Sequence, residues 1–131
     1  MFSNAFISTA LKITAVVNLI ASSGAVLAPN LNASLLLGPE VTLDPLTLRY
    51  HLIIWLTVFI MGICYALASK DPKGQFVLVL CGGLGKLMIA FIWIEMLSAG
   101  LATPLLLVPI CFDVLFGALF TVFGIRVLRQ Q

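Results

Sequence analysis

The chain has 131 residues, of which 62% are hydrophobic and only 9% are charged. Soluble domains carry about 25% charged residues, and a soluble fold of this length has too little interior to hide so much apolar surface. The formal net charge is +2, without a basic or acidic tract. The composition therefore predicts an integral membrane protein whose main partner is the lipid bilayer, and it excludes a nucleic-acid-binding protein.

Four long apolar runs follow one another along the chain, at about residues 5–28, 46–69, 75–98 and 104–128. Each run is close to the roughly 20 residues that cross about 30 Å of hydrocarbon. A cleaved signal peptide is the competing interpretation of the first run, but no positive charge precedes it and Lys12 lies inside it. We predict an all-α fold in which residues 1–131 form a single domain, a bundle of four transmembrane helices.

The long connection at residues 29–45 is predicted to lie outside the membrane. Its first part can form a short interfacial helix that ends at Gly38-Pro39. Asp44 and Pro45 are the residue types favoured at the N-cap and first position of a helix, here the second membrane helix.

The distribution of cations predicts the orientation of the bundle. One side of the membrane would hold both chain termini, the turn at residues 70–73 and five cations, which are Lys12, Lys70, Lys73, Arg126 and Arg129. The opposite side would hold only Arg49. Cytoplasmic loops carry the excess of Lys and Arg, so we predict that both termini are cytoplasmic and that the long connection is external. The membrane would be a bacterial inner (plasma) membrane.

Two charges are predicted to lie near the middle of the membrane. Lys86 is about 16 Å from the cytoplasmic end of the third run, and Asp113 is about 14 Å from the external end of the fourth. Because these helices are antiparallel, the two residues fall at nearly the same depth. A charged side chain at this depth raises the free energy of inserting its helix into the bilayer, so it usually pairs with another polar group. Such residues often mark a functional site. The pair would either fix the helix register or line a substrate or proton path. In a third interpretation they do not meet, and Lys86 snorkels toward an interface.

A second polar cluster is predicted near the external face, where Arg49, His51 and Glu95 fall in the same layer. An interfacial Arg49–Glu95 ion pair is the simpler interpretation. The alternative is proton exchange between His51 and Glu95, because His titrates near neutral pH. Lys86 and Glu95 are nine residues apart, or about 180° around a helix, so they are predicted to serve two separate sites.

The remaining candidates point to packing rather than to chemistry. Gly82, Gly83 and Gly85 are predicted to let a neighbouring helix approach closely. The cysteines lie inside apolar runs without a C-x-x-C pair, and a lone His51 gives no support for a metal site. The sequence contains neither G-x-S-x-G nor H-E-x-x-H, and the glycines before Lys86 lack the spacing of a phosphate-binding loop. We therefore predict no catalytic residue and no metal.

Three stretches resemble small four-helix bacterial membrane proteins of the DoxX-like group, namely residues 62–72, 82–87 and 113–120. The resemblance covers the last three helices in the right order, and it implies a four-helix bundle in the inner membrane. For DoxX proteins proper it implies an accessory subunit of a quinone-linked oxidoreductase. The first helix departs from that family's glycine- and arginine-bearing pattern.

Three functions are compatible with these features. The leading one is a small non-enzymatic membrane protein, an accessory or interaction subunit of a larger complex or a homo-oligomer. The second is a carrier or binding protein for a lipophilic or small ligand that uses Lys86 and Asp113. The third is a quinone-linked redox subunit, with Glu95 and His51 handling protons. Only the third requires a cofactor, a quinone.

Overall fold

A computed structural model describes residues 3–130, and these residues form helices and connections without a β-strand. The helices are α1 (Asn4–Leu27), α2 (Pro29–Leu37), α3 (Pro45–Ala68), α4 (Phe76–Ser98) and α5 (Leu107–Leu128), with a 3-10 turn at Pro104–Leu106. The all-α prediction is confirmed. The bounds of α1, α3 and α4 differ from the predicted ones by a single residue.

Four helices are long and apolar enough to cross a membrane. They are α1, α3, α4 and the continuous span Pro104–Leu128 that joins the 3-10 turn to α5. The chain therefore has the character of a multi-pass membrane protein.

The fourth predicted helix begins with a different geometry from the one expected. Pro109 has no N–H to donate to an α-helical partner four residues earlier, and its ring crowds that carbonyl. The chain instead takes a 3-10 turn before α5 starts at Leu107. Pro109 therefore lies in the first turn of α5, where a proline is tolerated.

The long connection folds as a short helix and a sharp turn. Helix α2 ends at Leu37, and Gly38 follows with φ of +132°, a conformation that side chains disfavour. Asp44 then caps α3, because its carboxylate accepts hydrogen bonds from the backbone N–H groups of Leu46 and Thr47 at 2.8 and 3.0 Å. The predicted short helix and the Asp44-Pro45 start signal are both confirmed.

The membrane helices pack as two hairpins. Helix α4 packs most extensively against α5, and α1 packs against α3, whereas contacts between α3 and α4 are sparse. The hairpins converge at the end that holds the start of α1, the end of α5 and the connection at residues 69–75, which we call the terminal end. The opposite end, with α2 and the turn at residues 99–103, is the loop end.

A single core fills the terminal end. All four membrane helices contribute to it, including Leu11 from α1, Tyr65 from α3, Val79 from α4 and Phe120 from α5. The Ser8 hydroxyl also donates to the Ser69 carbonyl at 2.6 Å, which fastens the start of α1 to the end of α3.

At the loop end, the backbone N–H and the side-chain hydroxyl of one threonine both bond to α2. The Thr103 N–H donates to the Leu36 carbonyl at 2.8 Å, and the Thr103 hydroxyl donates to the Leu35 carbonyl at 2.6 Å. These bonds satisfy carbonyls at the end of α2 that have no partner inside the helix. The α4–α5 turn is thereby fastened to α2.

Candidate functional site

The two mid-membrane charges meet between α4 and α5. The Lys86 ammonium group donates a hydrogen bond to a carboxylate oxygen of Asp113, and the two residues form a buried ion pair. Lys86 is 7% exposed and Asp113 is 8% exposed. The structure thus brings together the residues that the depth argument matched, and Lys86 does not snorkel away from its partner.

Glycines allow the two helices to approach closely beside this pair. A Cβ on Gly83 would lie 2.7 Å from the Thr121 nitrogen and 3.0 Å from the Gly117 oxygen. A Cβ on Gly117 would lie 3.1 Å from the Gly83 oxygen. The backbones of α4 and α5 therefore touch about one turn from the charges, and this approach lets the Lys86 and Asp113 side chains reach each other.

Aromatic rings connect the ion pair to the core of the terminal end. The Lys86 nitrogen lies 5.0 Å from the centroid of the Phe112 ring, within the range of a cation–π interaction. From Phe112, ring centroids follow at 4.5 Å to Phe116, 5.9 Å to Phe120 and 5.5 Å to Tyr65. The ion pair is therefore part of a continuous packed interior.

Tyr65 brings a third polar group toward the pair. Its hydroxyl packs over Gly82, where a Cβ would overlap it, and Gly82 lies one helical turn before Lys86 on α4. No hydrogen bond of this hydroxyl is formed within residues 3–130. Sequence analysis did not select Tyr65 as a site residue.

The structure places two of the three glycines predicted to pack on α4 against neighbouring side chains or backbone. Gly82 and Gly83 are in close contact with Tyr65 and α5, but a Cβ on Gly85 would meet nothing within 4 Å. The prediction that Gly85 packs against a neighbouring helix is wrong for the single chain, because Gly85 lies on a different side of α4. Sequence analysis also missed Gly117 and Gly124 on α5. Their spacing of seven residues, or about two helical turns, is the signal that could have found them.

The predicted external-face cluster is not joined by direct contacts. Arg49 and Glu95 are both exposed, and no ion pair or hydrogen bond links either residue to His51 or to the other across the part of the chain that is described. His51 instead packs beside Trp55, with ring centroids 6.2 Å apart, and its Nε2 atom is buried without a partner. Arg49, His51 and Glu95 lie at a similar depth along their helices, but their side chains are on different helix faces.

The cysteines give no sign of redox or metal chemistry among the described residues. All are free thiols, Cys64 being half-buried and Cys81 and Cys111 exposed. No group of three His, Cys, Asp or Glu side chains suited to a metal ion occurs within residues 3–130.

Comparison with protein-family models, with curated proteins and with solved structures gives no significant match. The resemblance to DoxX-like proteins therefore receives no support from these comparisons. The fold and the ion pair carry the functional argument.

Proposed function

We propose that the protein is a small non-enzymatic membrane subunit that works through helix contacts with other proteins. One observation carries this proposal, namely that Lys86 and Asp113 neutralise each other inside the α4–α5 hairpin. A charge pair closed in this way can set the register of two helices without a ligand.

The burial of the pair strengthens this interpretation. Polar side chains that bind a substrate are usually displayed in a concave site, whereas Lys86 and Asp113 are more than nine-tenths buried and pack beside Phe112. Large apolar side chains instead cover the outside of all four membrane helices. Such surfaces are available to lipid and to other membrane helices.

The cellular setting belongs to the same proposal. We place the protein in a bacterial inner membrane as part of this proposal, and the five cations at one end of the bundle give its orientation. Both termini would then be cytoplasmic, in agreement with the positive-inside rule.

Native mass spectrometry after mild extraction from the source membrane tests the proposal. We expect a reproducible assembly larger than one chain. Joint replacement of Lys86→Met and Asp113→Leu should leave that assembly intact, because neither side chain contacts the partner. A lone protomer carrying a defined lipophilic mass would contradict the proposal.

A carrier or binding protein for a small ligand is the second candidate, and Tyr65 is the observation that favours it. Its hydroxyl packs over Gly82, one helical turn before Lys86, so a third helix brings a polar group to within about one turn of the pair. In this case Lys86→Met or Asp113→Leu alone should abolish uptake by reconstituted vesicles. The joint replacement should abolish uptake too, and this result distinguishes a carrier from a subunit.

A further inference from the structure

An apolar groove with a volume of about 430 Å³ runs along the outer face of α4. We call it the α4 groove, and it is lined by Leu84, Leu87, Met88, Phe91 and Ile92. The groove lies mainly on the side of α4 opposite the buried residues Lys86 and Ala90, with Leu87 at its edge, where this side chain packs against Gly117 of α5. Its lining belongs to α4 alone, so no other part of residues 3–130 fills it.

Glu95 extends the α4 groove toward the loop end. It follows Phe91 by four residues and Met88 by seven, a spacing that places all three on one face of the helix. Its side chain is exposed and makes no hydrogen bond or ion pair inside the described chain. An acidic side chain within a membrane span is costly and usually has a partner. The α4 groove therefore has an unpaired negative charge at one end.

Arg49 supplies the opposite charge at the same depth. Arg49 lies 19 residues before the last residue of α3, Ala68, and Glu95 lies 19 residues after the first residue of α4, Phe76. Each is therefore about 28 Å along its helix from the terminal end. Arg49 is exposed and likewise has no side-chain partner in the described chain. A second copy in the same membrane orientation would present Arg49 at the level of Glu95.

The apolar surface of α3 also matches the α4 groove in spacing. Exposed Ile53, Leu56 and Ile60 follow Arg49 by 4, 7 and 11 residues. On the antiparallel α4, Phe91, Met88 and Leu84 precede Glu95 by the same separations. Two antiparallel helices placed with Arg49 beside Glu95 thus align three further apolar pairs in one stripe.

We propose that the partner in the α4 groove is a second copy of this chain. Helix α3 of one copy lies along α4 of the other, and Arg49 of each copy pairs with Glu95 of its neighbour. Because α3 and α4 are consecutive antiparallel helices and each carries its charged residue on an exposed face, one two-fold axis forms both pairs and closes the dimer. Lipid chains can cover the apolar groove but do not neutralise Glu95. This proposal rests on the proposed function, an interaction subunit.

Charge reversal on the full chain in lipid nanodiscs tests the dimer, with the dissociation constant measured by energy transfer between labelled copies. Glu95→Arg and Arg49→Glu should each weaken the dimer by about tenfold or more, because each change places like charges opposite one another at both contacts of the two-fold interface. The double variant should restore the dimer to within about threefold of wild type. Glu40→Arg is the matched control, since Glu40 is exposed at the same end but outside the helices, and it should not change the constant.

The result that overturns the dimer is a monomeric wild type, or a dimer that both single reversals leave unchanged. Circular dichroism of each variant shows whether the helices are intact, and rescue by the double variant excludes misfolding as the cause of a loss. A monomeric wild type that still co-purifies with a different membrane protein would overturn the dimer but keep the proposed function. A monomer extracted without any protein partner would overturn both.

Discussion

At the terminal end of the bundle, side chains from all four membrane helices pack into one core, whereas at the loop end the helices meet mainly in pairs. Helix α3 shows the contrast most directly, because its buried residues are Gly62, Tyr65 and Ala68, in its last two turns. Upstream of Gly62, α3 has no buried residue. The difference indicates that the terminal end holds the bundle together, while the loop end leaves helix faces free for contacts.

The ion pair lies between these two regions. The Phe112–Phe116–Phe120 series of rings connects it to the core, while Glu95 and Arg49 lie beyond it near the loop end. The charge inside the bundle is thus neutralised within the chain, and the charges outside are available to a neighbour. We therefore assign a structural role to the Lys86–Asp113 pair and a role in association to Arg49 and Glu95.

The largest expected difference in unfolding free energy is between truncating an aromatic side chain in the core of the terminal end and truncating one on the outer face of α4. Phe120→Ala removes a fully buried ring from the core. We expect a loss of about 3 kcal/mol in the free energy of unfolding, because lipid removes the water-transfer contribution but not the lost packing. Phe91→Ala, at a residue that is 62% exposed, should cost little in a monomer. Detergent titration in mixed micelles measures both, and equal losses would contradict the comparison.

Adding a methyl group to glycines on two sides of α4 should give the next largest effect. Gly83→Ala forces a Cβ against the backbone of α5 and should cost about 1–3 kcal/mol of unfolding free energy. Gly85→Ala meets open space and should be neutral or stabilise the helix by up to about 1 kcal/mol. The same titration serves as the measurement. A destabilising Gly85→Ala would show a contact that the single chain lacks.

The Thr103 contact tests how the loop end is held. Thr103→Val removes the hydroxyl bond to the Leu35 carbonyl and should cost about 1 kcal/mol locally. Hydrogen exchange of α2 should therefore become faster, while exchange at the terminal end stays unchanged. Thr57→Val is the control, because the Thr57 hydroxyl bonds only to the Ile53 carbonyl of its own helix. Protection of α2 that is unaffected by Thr103→Val would show that other contacts hold the loop end.

The smallest effect is expected at the exposed cap of α3. Hydrogen bonds from the Thr47 side chain, the Thr47 N–H and the Leu46 N–H hold the pKa of Asp44 below its ordinary value of 3.8. A lowered pKa means that the cap stabilises α3 above pH 3.8, and that this contribution is lost as pH falls through the lower folded value. A carboxyl resonance of Asp44 that titrates with a midpoint below 3.8 would agree, and a midpoint above it would contradict the cap.

Much of the fold could be predicted because each membrane helix must be long and apolar, and turn residues such as Pro72 and Gly74 mark where the helices stop. The rotation of each helix about its axis could not be predicted. A helix that is apolar all around carries little amphipathic signal, so Gly85 was assigned to the same interface as Gly82 and Gly83. The rotation of α4 about its axis, and not the depth of Gly85 in the membrane, leaves Gly85 without a neighbouring helix.

The same physics explains the two predicted polar sites. Depth along the helix is fixed by residue count, and it matched Lys86 with Asp113 and Arg49 with Glu95 equally well. The direction in which each side chain faces decides which pair forms inside the chain. The close approach of α4 and α5 at Gly83 and Gly117 favours the Lys86–Asp113 pair. The second pair lies on outer faces, which residue count alone does not reveal.

The structural role of the Lys86–Asp113 pair can be tested by a double-mutant cycle. We predict that Lys86→Met and Asp113→Leu each lower the free energy of unfolding by about 3–5 kcal/mol, because each leaves a buried charge unpaired. The joint replacement should restore most of that loss and preserve the native assembly, because an apolar pair can substitute for a structural ion pair. Small, additive losses from the single changes, or an assembly lost only in the joint variant, would contradict the claim that this pair serves the fold.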